Sequence, residues 1–172
     1  MHDPDAAYDA DPATPKPRRY AELAERVRGL VEGEPDVVAN LANVAAELGA
    51  WLPDLNWVGF YLLKDGGLVV GPFQGRPACT RIALGRGVCG AAAATGAPQL
   101  VPDVGAFPGH IACDARSRSE LVLPIRHRGA VVAVLDLDSP RLARFEDEDL
   151  AGLEAVVAAF APAIDWVRAT RT

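Results

Sequence analysis

The sequence predicts an α+β domain, an antiparallel sheet with helices before and after it. Three observations carry that prediction. Apolar residues step by three and four near both ends of the ordered chain, the middle changes to short runs of branched and aromatic residues, and turn signals split those runs into two hairpins. At 172 residues, with 50% of them hydrophobic, the chain suits a single domain with one sizeable core.

Taken in order, residues 1–17 hold Asp3, Asp5, Asp9 and Asp11 against Lys16, a net −3 of the total −6, with four prolines and hardly any large apolar side chain. Such a stretch buries too little to offset the entropy of ordering and reads as a disordered acidic leader, leaving residues 18–170 as the domain. Tyr20, Leu23, Val27 and Leu30 mark a first amphipathic helix that Gly33 ends. Pro35 suits the first turn of a second helix, striped by Val37, Leu41, Val44, Leu48 and Trp51 and stopped by Pro53. Asn56–Leu63 and Leu68–Val70 read as strands around the hairpin signal Lys64-Asp65-Gly66-Gly67. Glu120–Arg126 and Ala130–Asp138 form a second pair around His127-Arg128-Gly129. Leu150, Leu153, Val157, Phe160, Ile164 and Val167 mark a last helix, opened by the dipole-complementing acids Asp147, Glu148 and Asp149 and kinked or split at Pro162.

Composition excludes several functions. No basic stripe speaks for nucleic acid, and no apolar run is long enough to span a membrane. No signal sequence opens the chain, and three cysteines do not make a disulfide scaffold. A soluble cytoplasmic protein is the expectation.

Gly85-Arg86-Gly87-Val88-Cys89-Gly90 has the spacing of a dinucleotide loop, but two hairpins replace the parallel βαβ units that such a loop needs. A tight strand-to-helix turn fits better. It places Cys89 in the first turn of a helix, where a thiolate is favoured. Cys79, Cys89 and Cys113 admit three readings. They are small buried hydrophobes, or zinc ligands together with His110, or redox thiols, with Cys113 in the polar loop Gly109–Glu120. The acids bear on the choice. Strand alternation puts Asp136 and Asp138 on one face with Val132 and Val134, and a three-residue turn at His127–Gly129 would set Glu120 opposite Asp136. Crowded carboxylates repel, so at least one of the three holds a proton near neutrality. Trp57 and Tyr61 flank Gly59 on one strand face, either as core or as the walls of a small ligand slot with the Tyr61 hydroxyl available.

Six ordered motifs then become recognisable: Asn56-Trp57-Val58-Gly59-Phe60-Tyr61, Gly71-Pro72-Phe73-Gln74-Gly75, the Gly85–Gly90 loop, Gly109-His110-Ile111-Ala112-Cys113-Asp114, Ser119–Pro124 and Leu135-Asp136-Leu137-Asp138-Ser139. From about Tyr20 to the C-terminal helix the chain resembles the free methionine-(R)-sulfoxide reductases, which are stand-alone GAF domains. The resemblance implies a GAF-like sheet and a Cys113 thiolate that attacks the sulfoxide sulfur while a protonated carboxyl among Glu120, Asp136 and Asp138 assists the departing oxygen. It implies Cys79 as the resolving cysteine and Cys89 as auxiliary, although the helix N-terminus favours Cys89 as a thiolate, so the two roles stay open. It further implies Trp57 and Tyr61 as substrate-binding residues, thioredoxin or a similar dithiol as reductant, a homodimer, and neither cofactor nor metal. The competing reading is a GAF domain that senses a small ligand or redox state without turnover.

Overall fold

The structure is a computed structural model that describes residues 13–111 and 114–171. Helix α1 spans Lys16–Val31 with Pro15 at its N-cap, so Lys16 and Pro17, read from the sequence as leader, are its first turn. The remaining leader residues, 1–12, lie outside the described residues. Helix α2, Val37–Trp51, is capped by Asp36, whose side chain accepts from the Ala39 N–H, and Pro35 stands outside the helix rather than in its first turn.

Strands β1 (Trp57–Lys64) and β2 (Gly67–Gly75) meet at Asp65-Gly66, with φ of 51° and 76° at the two central residues. Two positive φ values define the tight turn whose twist matches the flanking strands. Strand β2 runs past Val70 to Gly75 because a bulge absorbs Pro72, which cannot donate to the ladder: the register jumps from Tyr61 opposite Val70 to Gly59 opposite Phe73. Short β3 (Arg81–Ala83) leads through the glycine loop into α3 (Gly87–Thr95), then β4 (Gln99–Val101). The loop is the tight turn anticipated, with Gly85 and Gly87 at φ of 77° and 61°. Strands β5 (Ser119–His127) and β6 (Ala130–Ser139) complete a six-stranded sheet in the order β3-β2-β1-β6-β5-β4. Every neighbouring pair is antiparallel, which removes the dinucleotide reading.

The β5–β6 register departs from expectation. The turn has two residues, Arg128-Gly129, so His127 rather than Arg126 pairs with Ala130. A bulge follows, with Arg126 opposite Val131 but Ile125 opposite Ala133. Each irregularity shifts the partner by one, so Glu120 faces Asp138 and Val122 faces Asp136. Two single shifts preserve parity, which keeps all three acids on one face. The bulge does reverse Val132, which packs with the opposite face while Val134 stays with the acids.

Helix α4, Asp147–Phe160, opens with a capping box between Glu146 and Asp149. Pro162 splits the C-terminal helix: a single 3₁₀ turn covers Ala161–Ala163 and α5 covers Trp166–Ala169. The phase changes there, so Trp166 is buried and Val167, expected on the apolar stripe, is 48% exposed. One sheet face, carrying Val58, Phe60, Leu135 and Leu137, packs on α1, α2, α4 and α5. The other, carrying Trp57, Tyr61, Val122 and Val134, packs on α3 and its loops. No described helix is long and apolar enough to cross a membrane.

Candidate active site

A pocket opens on the second face, between the middle strands and the first turn of α3. Its wall on β1 is aromatic. Trp57 and Tyr61 stack at 5.8 Å between ring centroids, and Phe73 also stacks on Trp57, at 5.2 Å. The space that Gly59 leaves is not a slot: a Cβ there would collide with that of Phe73, so the bulged β2 fills it. The indole Nε1 donates to the Arg76 carbonyl at 3.2 Å, which fixes the ring. Burial, then the nearby Asp136, pushes the Tyr61 hydroxyl well above its ordinary pKa, so it is a neutral donor at every working pH.

The floor holds the carboxyls. Glu120 and Asp136 are 6% and 5% exposed, and Asp138 is half-buried. Burial raises all three. Glu120 is pushed far above its usual value, with Asp136 and Asp138 adding repulsion, and Asp138 is raised for the same two reasons. Asp136 rises only to about 6, because Cys89 and Glu120 donate to it and moderate the cost of burial. A hydrogen bond from Ser117 partly offsets the rise at Asp138. The expected convergence of three acids is thus present, with Asp138 rather than Asp136 directly across from Glu120. Protonated carboxyls and one ionised partner are the resulting state near neutrality.

The cysteines separate. Cys89, in the first turn of α3, is 4% exposed and free, and its thiol points at Glu120 Oε1 at 3.8 Å. Burial together with Asp136 and Glu120 pushes this thiol well above its ordinary pKa, the reverse of the lowering expected at a helix N-terminus. Complete desolvation beside two carboxyls outweighs a partial helix charge. Cys79 is disulfide-bonded and packs against the pocket's cluster. In that state it offers no thiolate to a zinc ion. Cys113 lies outside the described residues; its described neighbours Ile111 and Asp114 both line the pocket.

Several lining residues escaped sequence reasoning. His110, weighed only as a zinc ligand, places Nε2 3.9 Å from Glu120 Oε2, and burial lowers its pKa, so it is neutral near pH 7. Asn56 bridges the rim, donating to Ser117 Oγ at 3.0 Å and to Asp114 Oδ2 at 3.3 Å, while Arg116 holds Asp114 far below the usual carboxylate range. Arg86, the N-cap of α3, and the helix's first residues Gly87 and Val88 also line the pocket. The signal for Arg86 was its place inside the glycine motif, which draws attention to the glycines.

Residues 32–165 match the GAF domain family. The chain is 52% identical over 139 residues to the free methionine-R-sulfoxide reductase of Escherichia coli, covering 81% of this chain and 84% of the relative. Among solved structures, it is similar to the free methionine-R-sulfoxide reductase of Neisseria meningitidis in complex with its substrate, with a TM-score of 0.85 and 43% identity over 93% of this chain and 96% of that one. The reduced form of the Staphylococcus aureus enzyme matches at a TM-score of 0.81 and 46% identity, covering 84% of this chain and 94% of the other.

Proposed function

The chain belongs to the GAF domain family, among the free methionine-R-sulfoxide reductases, and from that premise we propose that it reduces free methionine (R)-sulfoxide through a cysteine sulfenic acid and a disulfide. The observation that carries this reading is the pocket floor, where buried carboxyls that keep their protons near neutrality lie under a Trp57–Tyr61 stack. A sulfoxide is a weak electrophile until its oxygen is hydrogen-bonded or protonated, and a neutral carboxylic acid in a dry pocket supplies that proton. The aromatic pair packs against the substrate's thioether methyl and chain, and the Tyr61 hydroxyl donates a hydrogen bond.

The Cys113 thiolate attacks the sulfoxide sulfur. Glu120 or Asp138 protonates the oxygen, the hydroxyl passes from the substrate sulfur to the Cys113 sulfur as the bond between the two sulfurs breaks, and methionine leaves reduced while Cys113 is left as a sulfenic acid. The Cys79 thiol then displaces that hydroxyl as water and forms a disulfide, which thioredoxin or a similar cytoplasmic dithiol reduces. A disulfide at Cys79, with Cys89 free and buried, favours Cys79 as the resolving residue. Cys89 then serves as a neutral neighbour that donates to the carboxyls. Ionised Asp136 and Asp114 bind the substrate's ammonium, and Arg86 with the N-terminus of α3 binds its carboxylate.

The experiment is an assay of separate (R) and (S) free methionine sulfoxides with a dithiol reductant. Only the (R) form is consumed, and Cys113→Ser abolishes turnover. Cys79→Ser releases roughly one equivalent of methionine and then stalls with thioredoxin. Turnover that survives Cys113→Ser refutes the nucleophile, and a stall in Cys89→Ser instead of Cys79→Ser exchanges the resolving roles. Absence of reduction alongside a co-purified small molecule would mark a sensor.

A further inference from the structure

Three atoms of metal-ligating type converge within 4.8 Å of one another in the pocket floor: Cys89 Sγ and one carboxylate oxygen each of Glu120 and Asp136. They come from three rigid elements, the first turn of α3, β5 and β6, and all three side chains are buried. Asp136 Oδ1 is buried with no hydrogen-bond partner. The reductase reading gives Asp136 to the substrate's ammonium and Cys89 to the carboxyls, so with no substrate bound the unpartnered oxygen and the thiol outside the disulfide are both open to an ion.

The spacing suits a tetrahedral ion. Zinc bonds of roughly 2.3 Å to thiolate and 2.0 Å to carboxylate set the two ligand atoms about 3.5 Å apart. Cys89 Sγ and Glu120 Oε1 lie at 3.8 Å without adjustment. One sulfur with two oxygens favours a borderline cation over magnesium or calcium, which take six or more oxygens. Three protein ligands leave the fourth position facing the pocket.

We propose that Cys89, Glu120 and Asp136 form a Zn²⁺ site and that its occupation inhibits the enzyme by withdrawing the carboxyls from the substrate. Binding displaces the Cys89 thiol proton and the Glu120 carboxylic proton to solvent, and no electrons move. The site uses neither Cys79 nor His110 and so differs from a three-cysteine, one-histidine set. Because Cys89 stands outside the disulfide, the site is complete in the oxidised as well as the reduced protein. The inhibitory half rests on the reductase reading; the site does not.

The test uses the full chain with Cys79→Ser and Cys113→Ser, in which Cys89 is the sole cysteine, titrated with Co²⁺ as a spectroscopic substitute for zinc. One Co²⁺ per chain should give a thiolate-to-cobalt charge-transfer band that Zn²⁺ displaces. Adding Cys89→Ser should remove the band, and Asp136→Asn should weaken cobalt binding by more than about tenfold. Thermal melts and far-UV circular dichroism restrict the comparison to folded protein. A band that survives Cys89→Ser, or none in the folded sole-cysteine chain, overturns the site. In the wild-type chain Zn²⁺ should suppress sulfoxide reduction and a chelator restore it, and turnover indifferent to saturating zinc overturns the inhibitory half. Cobalt binding by a wild-type chain that reduces no sulfoxide overturns the reductase reading and leaves the site standing.

Discussion

Asp149 at the start of α4 and the Glu120–Asp136–Asp138 group are all carboxyls withdrawn from water, yet their surroundings are opposite. Asp149 is 1% exposed and receives hydrogen bonds from the Tyr20 hydroxyl at 2.8 Å, Lys16 Nζ at 2.9 Å and the Glu146 N–H at 2.9 Å, with Arg144 at 3.3 Å. Burial would raise its pKa, but these donors win and hold it below its ordinary value. Glu120 has two other carboxyls, a thiol and a neutral imidazole around it, so burial wins and its pKa rises. A buried acid supplied with donors is a structural clamp, here tying α1 to α4. One supplied with other acids costs stability and keeps a proton available for chemistry.

The largest expected effect separates the two in activity. Glu120→Gln should lower kcat by about 10²- to 10⁴-fold, the range for loss of a positioned general acid, while the melting temperature stays level or rises. Asp138→Asn, directly across the ladder, should behave alike, since an amide cannot deliver the proton. Steady-state kinetics beside thermal melts check both. A fall in stability with kcat intact would place the pocket acids with Asp149, as structural groups.

The second effect is on stability. Asp149→Ala strips the partner from Lys16, Tyr20 and Arg144 and should cost about 3 kcal/mol, as for a buried ion pair broken from one side. Turnover per folded molecule should not change, because none of these groups lines the active pocket. Urea unfolding gives the first number and an assay at matched folded concentration the second. An unchanged urea midpoint would mean that the clamp is decorative.

Which of the two sets was legible in the sequence follows from distance along the chain. The alternation of β6 put Asp136 and Asp138 on one face, and the parity of β1 put Trp57 and Tyr61 on the same side of the sheet, since both patterns are local. The partner of Glu120 was not legible. It depended on a two-residue turn and a bulge, each worth a single residue of register, and Pro124 beside the bulge does not by itself give the size of the shift. Asp149 could be read only as one of three acids at a helix start, because Tyr20 and Lys16 are 129 and 133 residues away. The Cys89 thiol was misread for a related reason. Its place on a helix is local information, whereas the carboxyls beneath it belong to the distant β5 and β6.

The smallest effect is the sharpest in sign. Asp136 has its pKa raised from 3.8 to about 6 in the folded chain, so between those values the folded protein holds a proton that the unfolded chain has released. Stability then falls as pH rises through that window, by at most about 1.4 kcal/mol per pH unit for one proton. Asp149 runs the other way. Its lowered pKa contributes stability that is fully present above 3.8 and is lost as pH falls through the folded value. Asp136→Asn should therefore flatten the decline between about pH 4 and 6 and leave the acid limb in place. Asp149→Asn should soften the acid limb and leave the decline. Unfolding free energies measured from pH 3 to 7 for the wild type and both variants decide it. If Asp136→Asn steepens the decline, the carboxyl is ionised in the folded pocket throughout, and the contrast between the two kinds of buried acid fails at its most polar point.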